Sequence, residues 1–301
     1  MIKDYLILTL KIACFCLFGG RSWQHLVWDI PIRSFLWDQE LMEGIVTWLT
    51  NMSWQEYATS KIQDVYIQAG KVVLGIFYTF CAFLCFFVNE KRKWVGKIFV
   101  TSSFLLMLLA LLYYKEKFFH LGQLLEYTTQ ITTPILLYLL VYTKSTDKQL
   151  LYFSKTAVAL TFICHGLYAI GYYPQPGNFV DMVIRSLFLP EPSARIFLKV
   201  VGFIDVIIGI AIFIPVIWRS CIWYALIWGL LTAIARVTAN FYVDFPWQNL
   251  NQWIPEMLYR MPHGLIPLFV LLLGNSQQLV KTEGVSFMDL ISNKKVKINH
   301  V

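Results

Sequence analysis

Charge is what this sequence has least of. Only 14% of its 301 residues are Asp, Glu, Lys or Arg, against ~25% in an average soluble domain. A water-soluble globule of this size could not cover its surface with so few charges, which excludes a soluble enzyme and a nucleic-acid binder. No phosphate-binding glycine loop, dinucleotide glycine motif, zinc-ligand spacing or Ser/His/Asp arrangement is present. The common signatures of nucleotide, metal and acyl-transfer chemistry are therefore missing. Cysteine is sparse and poorly placed for redox work: Cys14 and Cys16 point to different helix faces, Cys81 and Cys85 share one, Cys164 adjoins His165, and Cys221 starts an apolar run. A thiol oxidoreductase needs a reactive pair exposed to its substrate, so these six read as small apolar fillers.

What is present is apolar length. Hydrophobic residues make up 57% of the chain and aromatics 17%. A hydrocarbon core of ~30 Å needs about 20 apolar residues per helix. Eight runs of that kind occur, at 5–28, 69–88, 94–114, 119–142, 155–173, 197–218, 221–242 and 253–273. The first lacks a small-residue cleavage site and continues into Gly19-Gly20-Arg21, so it reads as a retained helix and not as a signal peptide. The expected fold is an all-α integral membrane protein of eight transmembrane helices.

The net charge of +7 comes from basic residues in the short connections. Lys3, Lys11, Lys91-Arg92-Lys93, Lys144, Lys148, Arg219, Lys281, Lys294, Lys295 and Lys297 all fall on one side of an eight-helix layout. The positive-inside rule makes that side cytoplasmic and places both termini there. On the other side are two long connections of similar design. One carries Leu41, Ile45 and Trp48 at helical spacing, and the other carries Val180, Ile184 and Phe188 before Pro190. Each reads as a short amphipathic helix on the membrane surface.

That shared design prompts a comparison of the halves. Gly19 laid on Gly166 aligns the first span with the fifth. Gly75 laid on Gly202 aligns the second with the sixth, and the same offset of 127 aligns the third with the seventh. An offset of 133 lays Gln123, Tyr127, Gln130 and Pro134 over Glu256, Arg260, His263 and Pro267. The chain therefore reads as two four-helix bundles in tandem, 1–148 and 149–280, with a cytoplasmic tail at 281–301. Each unit has an even number of spans, so both insert the same way up.

The second half, with "ICHGLYAIG", "GNFVDMVIRSLF", "KVVGFIDVIIGIAIF" and "WGLLTAIARVTA", resembles the DoxX-like superfamily of four-helix membrane proteins. The first half is similar in layout through "GGRSWQHL". DoxX and DoxD subunits are associated with thiosulfate:quinone oxidation, and MauE with maturing a disulfide-rich periplasmic enzyme. The resemblance implies a bacterial cytoplasmic membrane, a link to redox chemistry and a protein partner in the membrane or outside it.

Ionisable groups inside a spanning helix cost at least ~2.5 kcal/mol each at the bilayer centre, so each needs a partner or a job. The second half holds His165, Asp205, Arg236, Glu256, Arg260 and His263. Setting Tyr173 level with Phe197 puts His165 level with Asp205. Setting Trp218 level with Cys221 puts Asp205 opposite Ile234, two residues from Arg236. Glu256, Arg260 and His263 share a face at spacings of four and three. One polar layer is expected. Its structural role would be an ion-pair network, Asp205 with Arg236 and Glu256 with Arg260. Its functional role would be a site for an anionic or quinone-like headgroup, bound by Arg236, Glu256, Arg260 and His263, with Asp205 and His165 handling protons. Pro262 and Pro267 would free the carbonyls of Leu258 and His263 beside these charges.

The first half supplies a control. At the aligned positions Asp205 becomes Tyr78, Arg236 Leu109, Glu256 Gln123, Arg260 Tyr127 and His263 Gln130. Four-helix packing does not by itself require the charged network. Arg21 and His25 read as snorkelling groups at an outer helix end. A b-type haem ligated by His165 and His263 is allowed by their similar depth. Three functions stay open: a membrane subunit of a quinone-linked redox system, a carrier or receptor for a small anion, and a non-catalytic assembly partner.

Overall fold

The structure is a computed structural model that describes residues 2–275; the tail expected at 281–301 lies outside them. Among the described residues the chain is all-helical. In order, the helices are α1 (Ile2–Val27), α2 (Arg33–Leu36), α3 (Gln39–Thr50), α4 (Trp54–Thr59) and α5 (Lys61–Leu84). Next come α6 (Lys93–Glu116), α7 (Leu121–Glu126), α8 (Thr128–Tyr142), α9 (Asp147–Ile170) and α10 (Gly177–Leu187). The last are α11 (Glu191–Ala211), α12 (Trp218–Thr238), α13 (Pro246–Arg260) and α14 (262–275).

Among the described residues, seven segments are long and apolar enough to cross a membrane: α1, α5, α6, α7 with α8, α9, α12, and α13 with α14. The remaining long helix, α11, is set apart by charge, since every 18-residue stretch of it contains Arg195, Lys199 and Asp205. Local sequence fixes several ends. Thr146 and Gln149 form a capping box at the start of α9, satisfying two of its orphan N–H groups. Gly171, with φ +97°, stops that helix in the left-handed conformation that lets the Gly171 and Tyr172 N–H groups both reach the Leu167 carbonyl.

α1 runs along α5, α6 along α8, α9 along α11, and α12 along α13. Across the halves, α1 packs on α13 while α9 packs on α7 and α8, so the first helix of each half leans on the last helix of the other. The last span is broken in both halves, at Tyr127 and at Met261.

The register of the first helix pair differs from the alignment of Gly19 on Gly166. A Cβ on Gly75 would meet Leu26 and His25, and one on Gly202 would meet Gly166, Ala169 and Ile170. Equating these two sites lays Gly166 on Ser22 and His165 on Arg21, three residues from the glycine alignment. Matching the glycines maximised likeness of residue type, whereas the helices match by contact.

The connection 28–60 folds into α2, α3 and α4. Met42, Val46 and Tyr57 close a small core there, and the face of Leu41, Ile45 and Trp48 stays exposed. It is fastened to α6 by Lys115 Nζ, which donates to Asp38 Oδ2 at 2.6 Å. That ammonium, with the Leu41 N–H, holds the Asp38 carboxyl below its ordinary value. A lowered folded value means the tie is fully present above the unfolded-chain value of about 4 and is lost as pH falls through the folded one. Proteolysis of the α2–α4 segment should therefore accelerate as pH drops below about 4, and Asp38→Asn should give the fast rate at neutral pH. An unchanged rate for Asp38→Asn would show that the apolar core alone holds the segment.

Candidate functional site

The second half encloses a cavity of about 330 Å³. Five of the six residues singled out in the sequence line it: His165 from α9, Asp205 from α11, Arg236 from α12, Arg260 from α13 and His263 from α14. The sixth, Glu256, stands behind Arg236, whose Nη1 donates to Glu256 Oε2 at 3.4 Å. Asp205, Arg236 and His263 are 4%, 3% and 5% exposed, so the site is built from buried polar groups. The walls between them are apolar and aromatic, with Phe162, Phe179, Phe197 and Trp228 the largest rings.

Close helix contacts hold these side chains in place. α9 and α11 meet at Gly166 and Gly202, where a Cβ on either would strike the other's carbonyl oxygen at 2.6 or 2.7 Å. This brings His165 level with Asp205. α12 meets α14 at Gly229, whose added Cβ would lie 2.4 Å from the His263 carbonyl oxygen. Pro267 has no N–H to offer that carbonyl, and only glycine lets α12 pack on it. His263 is thereby fixed facing α9. Its ring meets His165 edge to face, with centroids 5.2 Å apart and planes at 86°. Phe179 stacks on His165 at 6.3 Å and lies 5.6 Å from the Arg236 guanidinium carbon.

The pairing differs from the ion-pair network the sequence suggests. Asp205 accepts from the Tyr224 hydroxyl at 2.8 Å, with the Trp228 side chain beside it, and does not pair with Arg236. The cause is the turn. α11 ends at Ala211 and α12 begins at Trp218, so reflection through 212–217 places Tyr224 opposite Asp205. Taking the sixth span to Trp218 shifted the expected level by ten residues. Arg236 lies eight residues beyond Trp228 and twelve beyond Tyr224, or ~12–18 Å further along the axis at 1.5 Å per residue. The groups do not form one layer. Asp205 marks the floor of the cavity, and Arg236 stands at the opposite end.

Glu256 pairs with Arg236, and among the described residues Arg260 has no carboxylate within 4.0 Å. Instead its guanidinium lies 5.7 Å from the Tyr259 ring, within electrostatic reach of Glu126 from the first half. Four buried nitrogens around the cavity have no hydrogen-bond partner: Nε of Arg236 and Arg260, and Nε2 of His165 and His263. Buried polar groups are ordinarily satisfied. Each of these four is covered by protein atoms, as is the unmet Nε of Arg21 in the first half, so they mark a buried polar cluster beside the cavity.

The cavity does not fit a bis-histidine haem. The two imidazoles touch each other edge to face, so no slot for a porphyrin plane lies between them, and axial ligation needs one ring on each side of the iron. The cysteines are free, with Cys14, Cys81, Cys85 and Cys221 packed in the main apolar core.

The first half corrects the reading of Arg21 and His25 as snorkelling groups. Arg21 is 0% exposed. Its Nη1 donates to Gln24 Oε1 at 2.7 Å and its Nη2 to Gln130 Oε1 at 2.6 Å, while the guanidinium sits 3.9 Å over the Tyr259 ring and 5.1 Å over Tyr127. His25 turns inward as well, bonding the Arg21 carbonyl through Nδ1 at 2.6 Å. Arg21 reaches Tyr259 of the other half because α1 is covered by α13, whereas His25 faces Tyr78 of α5 in its own half. Arg21 and Gln130 stand where His165 and His263 stand in the second half.

Sequence reasoning missed Tyr224, Trp228 and Phe179. Tyr224 and Trp228 are four apart with polar tips inside a span, a spacing that puts them on one face. They were passed over as apolar bulk. Phe179 belongs to α10, expected to lie on the membrane. Instead α10 turns Val180 and Val183 onto α9 and α11 and lays Phe179 over the cavity. Compared with family models, curated proteins and solved structures, the chain matches none.

Proposed function

We propose that this chain is a membrane subunit of a quinone-linked redox system, with the quinone headgroup held in the cavity of the second half. The observation that carries this reading is the chemistry of the cavity: apolar and aromatic walls, with two arginines and two histidines among the residues that line it. Such a mix suits a flat ring bearing acceptor oxygens at its edge. Arg236 and Arg260 donate to the oxygens, Glu256 orients Arg236, and His263 with Phe179 bounds the ring. A bound quinone supplies two-electron, two-proton chemistry; Asp205 and His165 are the residues placed to hold and pass the protons.

In this reading α11 is an eighth crossing. It lies along α9 throughout, its Arg195 and Lys199 are near the outer end where they can snorkel, and Asp205 faces inward. The whole is then a tandem pair of DoxX-like units in a bacterial cytoplasmic membrane, both termini cytoplasmic, working with a protein partner in the membrane or outside it. One observation favours a second reading, a carrier for an anionic amphiphile: Arg260 lines the cavity and has no carboxylate within 4.0 Å among the described residues.

The test is purification into nanodiscs doped with menaquinone, followed by extraction and an ultraviolet reduced-minus-oxidised spectrum. Near-stoichiometric quinone is expected with the natural chain, and at least a tenfold loss with Arg260→Gln, about 1.4 kcal/mol. Absence of quinone from the natural chain refutes the reading. Displacement of the quinone by an anionic detergent at low concentration would favour the carrier.

A further inference from the structure

The cavity is closed on every side but one. α9 and α14 form its back. Asp205, tied to Tyr224, closes the floor beside Trp228. α10 is its roof, and the roof is fastened at both ends. At one end Gln175 Nε2 donates to the Ala169 carbonyl at 2.8 Å and Arg195 Nη1 donates to Gln175 Oε1 at 2.8 Å. At the other, Arg185 reaches Asn240 Oδ1 at 3.4 Å and sits 5.1 Å from the Tyr242 ring.

The remaining wall is the seam between α11 and α12, which touch one another far less than α11 touches α9. Leu231 and Ile234 of α12 line the cavity, yet they are 53% and 43% exposed. Leu187, the last residue of the roof helix, does the same at 47%. A side chain that both lines a cavity and lies on the outer surface marks an opening. Ser186 and Thr238 meet the same description and bring hydroxyls to the end of the opening beside the roof helix; Leu187, Leu231 and Ile234 are hydrocarbon, and the last two sit within a helix apolar enough to span the bilayer. Along Leu231 and Ile234 the opening faces lipid.

Volume then decides what can use it. About 330 Å³ lies at the low end of the roughly 300–1,000 Å³ of small-molecule sites, enough for a substituted ring, and the open side leaves room for a chain to run out between the helices. We infer that the ligand is a membrane-resident molecule with a long hydrocarbon tail, that it enters sideways between α11 and α12, and that its tail stays in this seam against Leu231 and Ile234. This rests on the quinone-type reading of the headgroup site.

The experiment uses the full chain in nanodiscs and two probes, a long-chain menaquinone supplied in the bilayer and tail-less menadione supplied in water. Leu231→Trp and Ile234→Trp plug the seam. Ile227→Trp, on the exposed face of α12 but outside the cavity lining, is the control for insertion and folding. Either plug should slow menaquinone exchange at least tenfold and leave menadione affinity within twofold, and the control should change neither. Unchanged menaquinone exchange in the plugged variants overturns the inference, as does an equal loss of both probes. Natural chain that holds menadione but not menaquinone overturns the lateral entry and leaves the headgroup site standing. Natural chain that holds neither overturns both.

Discussion

Replacing Asp205 with tyrosine should weaken ligand binding at least about a hundredfold, close to 2.8 kcal/mol, while the helices still insert and pack. The first half is the basis for expecting both outcomes. At the matching position Tyr78 is 1% exposed, stacked on Phe18 with ring centroids 6.2 Å apart and met edge-on by His25 at 5.1 Å. Phe18 in turn packs on Phe99 at 5.8 Å. A phenol is accommodated in this helix arrangement, and it occupies the space that the second half leaves open. Interiors tolerate little free volume, so in Asp205→Tyr the added ring goes into the cavity. The Tyr224 hydroxyl loses its acceptor, a cost of about 1–3 kcal/mol that a thermal melt will register. Asp205→Asn keeps the space and an acceptor oxygen. Its binding should stay within about threefold while turnover falls, because an amide cannot exchange a proton at neutral pH. Full binding by Asp205→Tyr would sink the assignment of the cavity as the ligand site. Turnover unaffected in Asp205→Asn would remove Asp205 from proton handling.

Loss of Arg21 should be the most damaging single change outside the site. Arg21→Met keeps much of the side-chain volume, but leaves Gln130 Oε1 and Gln24 Oε1 without the donors seen at 2.6 and 2.7 Å. It also strips the cation from over Tyr259. Hydrogen bonds to charged groups contribute ~1.5–3 kcal/mol each, and a desolvated cation–π contact ~2 kcal/mol. Relief from burying a guanidinium offsets part of this, since apolar replacements of buried ions can be favourable. The balance is a destabilisation of about 3 kcal/mol. A snorkelling arginine would give less than about 0.5 kcal/mol. Thermal unfolding in detergent, followed by loss of the monodisperse peak, separates the two magnitudes. A shift too small to resolve would mean that the packing of α1 on α13, and not Arg21, joins the halves.

The long apolar helices were legible because bilayer thickness sets a length that few other folds need, and seven such helices are present. The level of His165 with Asp205 agrees with expectation although α9 ends at Ile170 and α11 begins at Glu191, not at Tyr173 and Phe197; the close contact of Gly166 with Gly202 sets it. Asp205 and Arg236 were misjudged because the residues 212–217 are apolar and look like more helix, whereas α11 has already ended at Ala211. Hydropathy does not distinguish a greasy turn from a greasy helix. Arg21 was misread for a different reason. A charge near a helix end suggests the interface, and only the partner helix α13 makes that position interior. Pairing partners such as Tyr224 depend on helix rotation, which residue spacing constrains only to a face.

The crossed contacts between halves, α1 on α13 and α9 on α7 and α8, have an evolutionary meaning. Each half offers its first helix to the other and receives the other's last, with the arrangement of an isologous pair of subunits. Two copies of one ancestral four-helix chain, associated as a homodimer, would make the same crossed contacts before fusion joined them through the short stretch 143–146. Fusion would free such copies to diverge, and the two halves differ as that history requires: Tyr78 is packed among rings in the first, whereas Asp205 borders a cavity in the second.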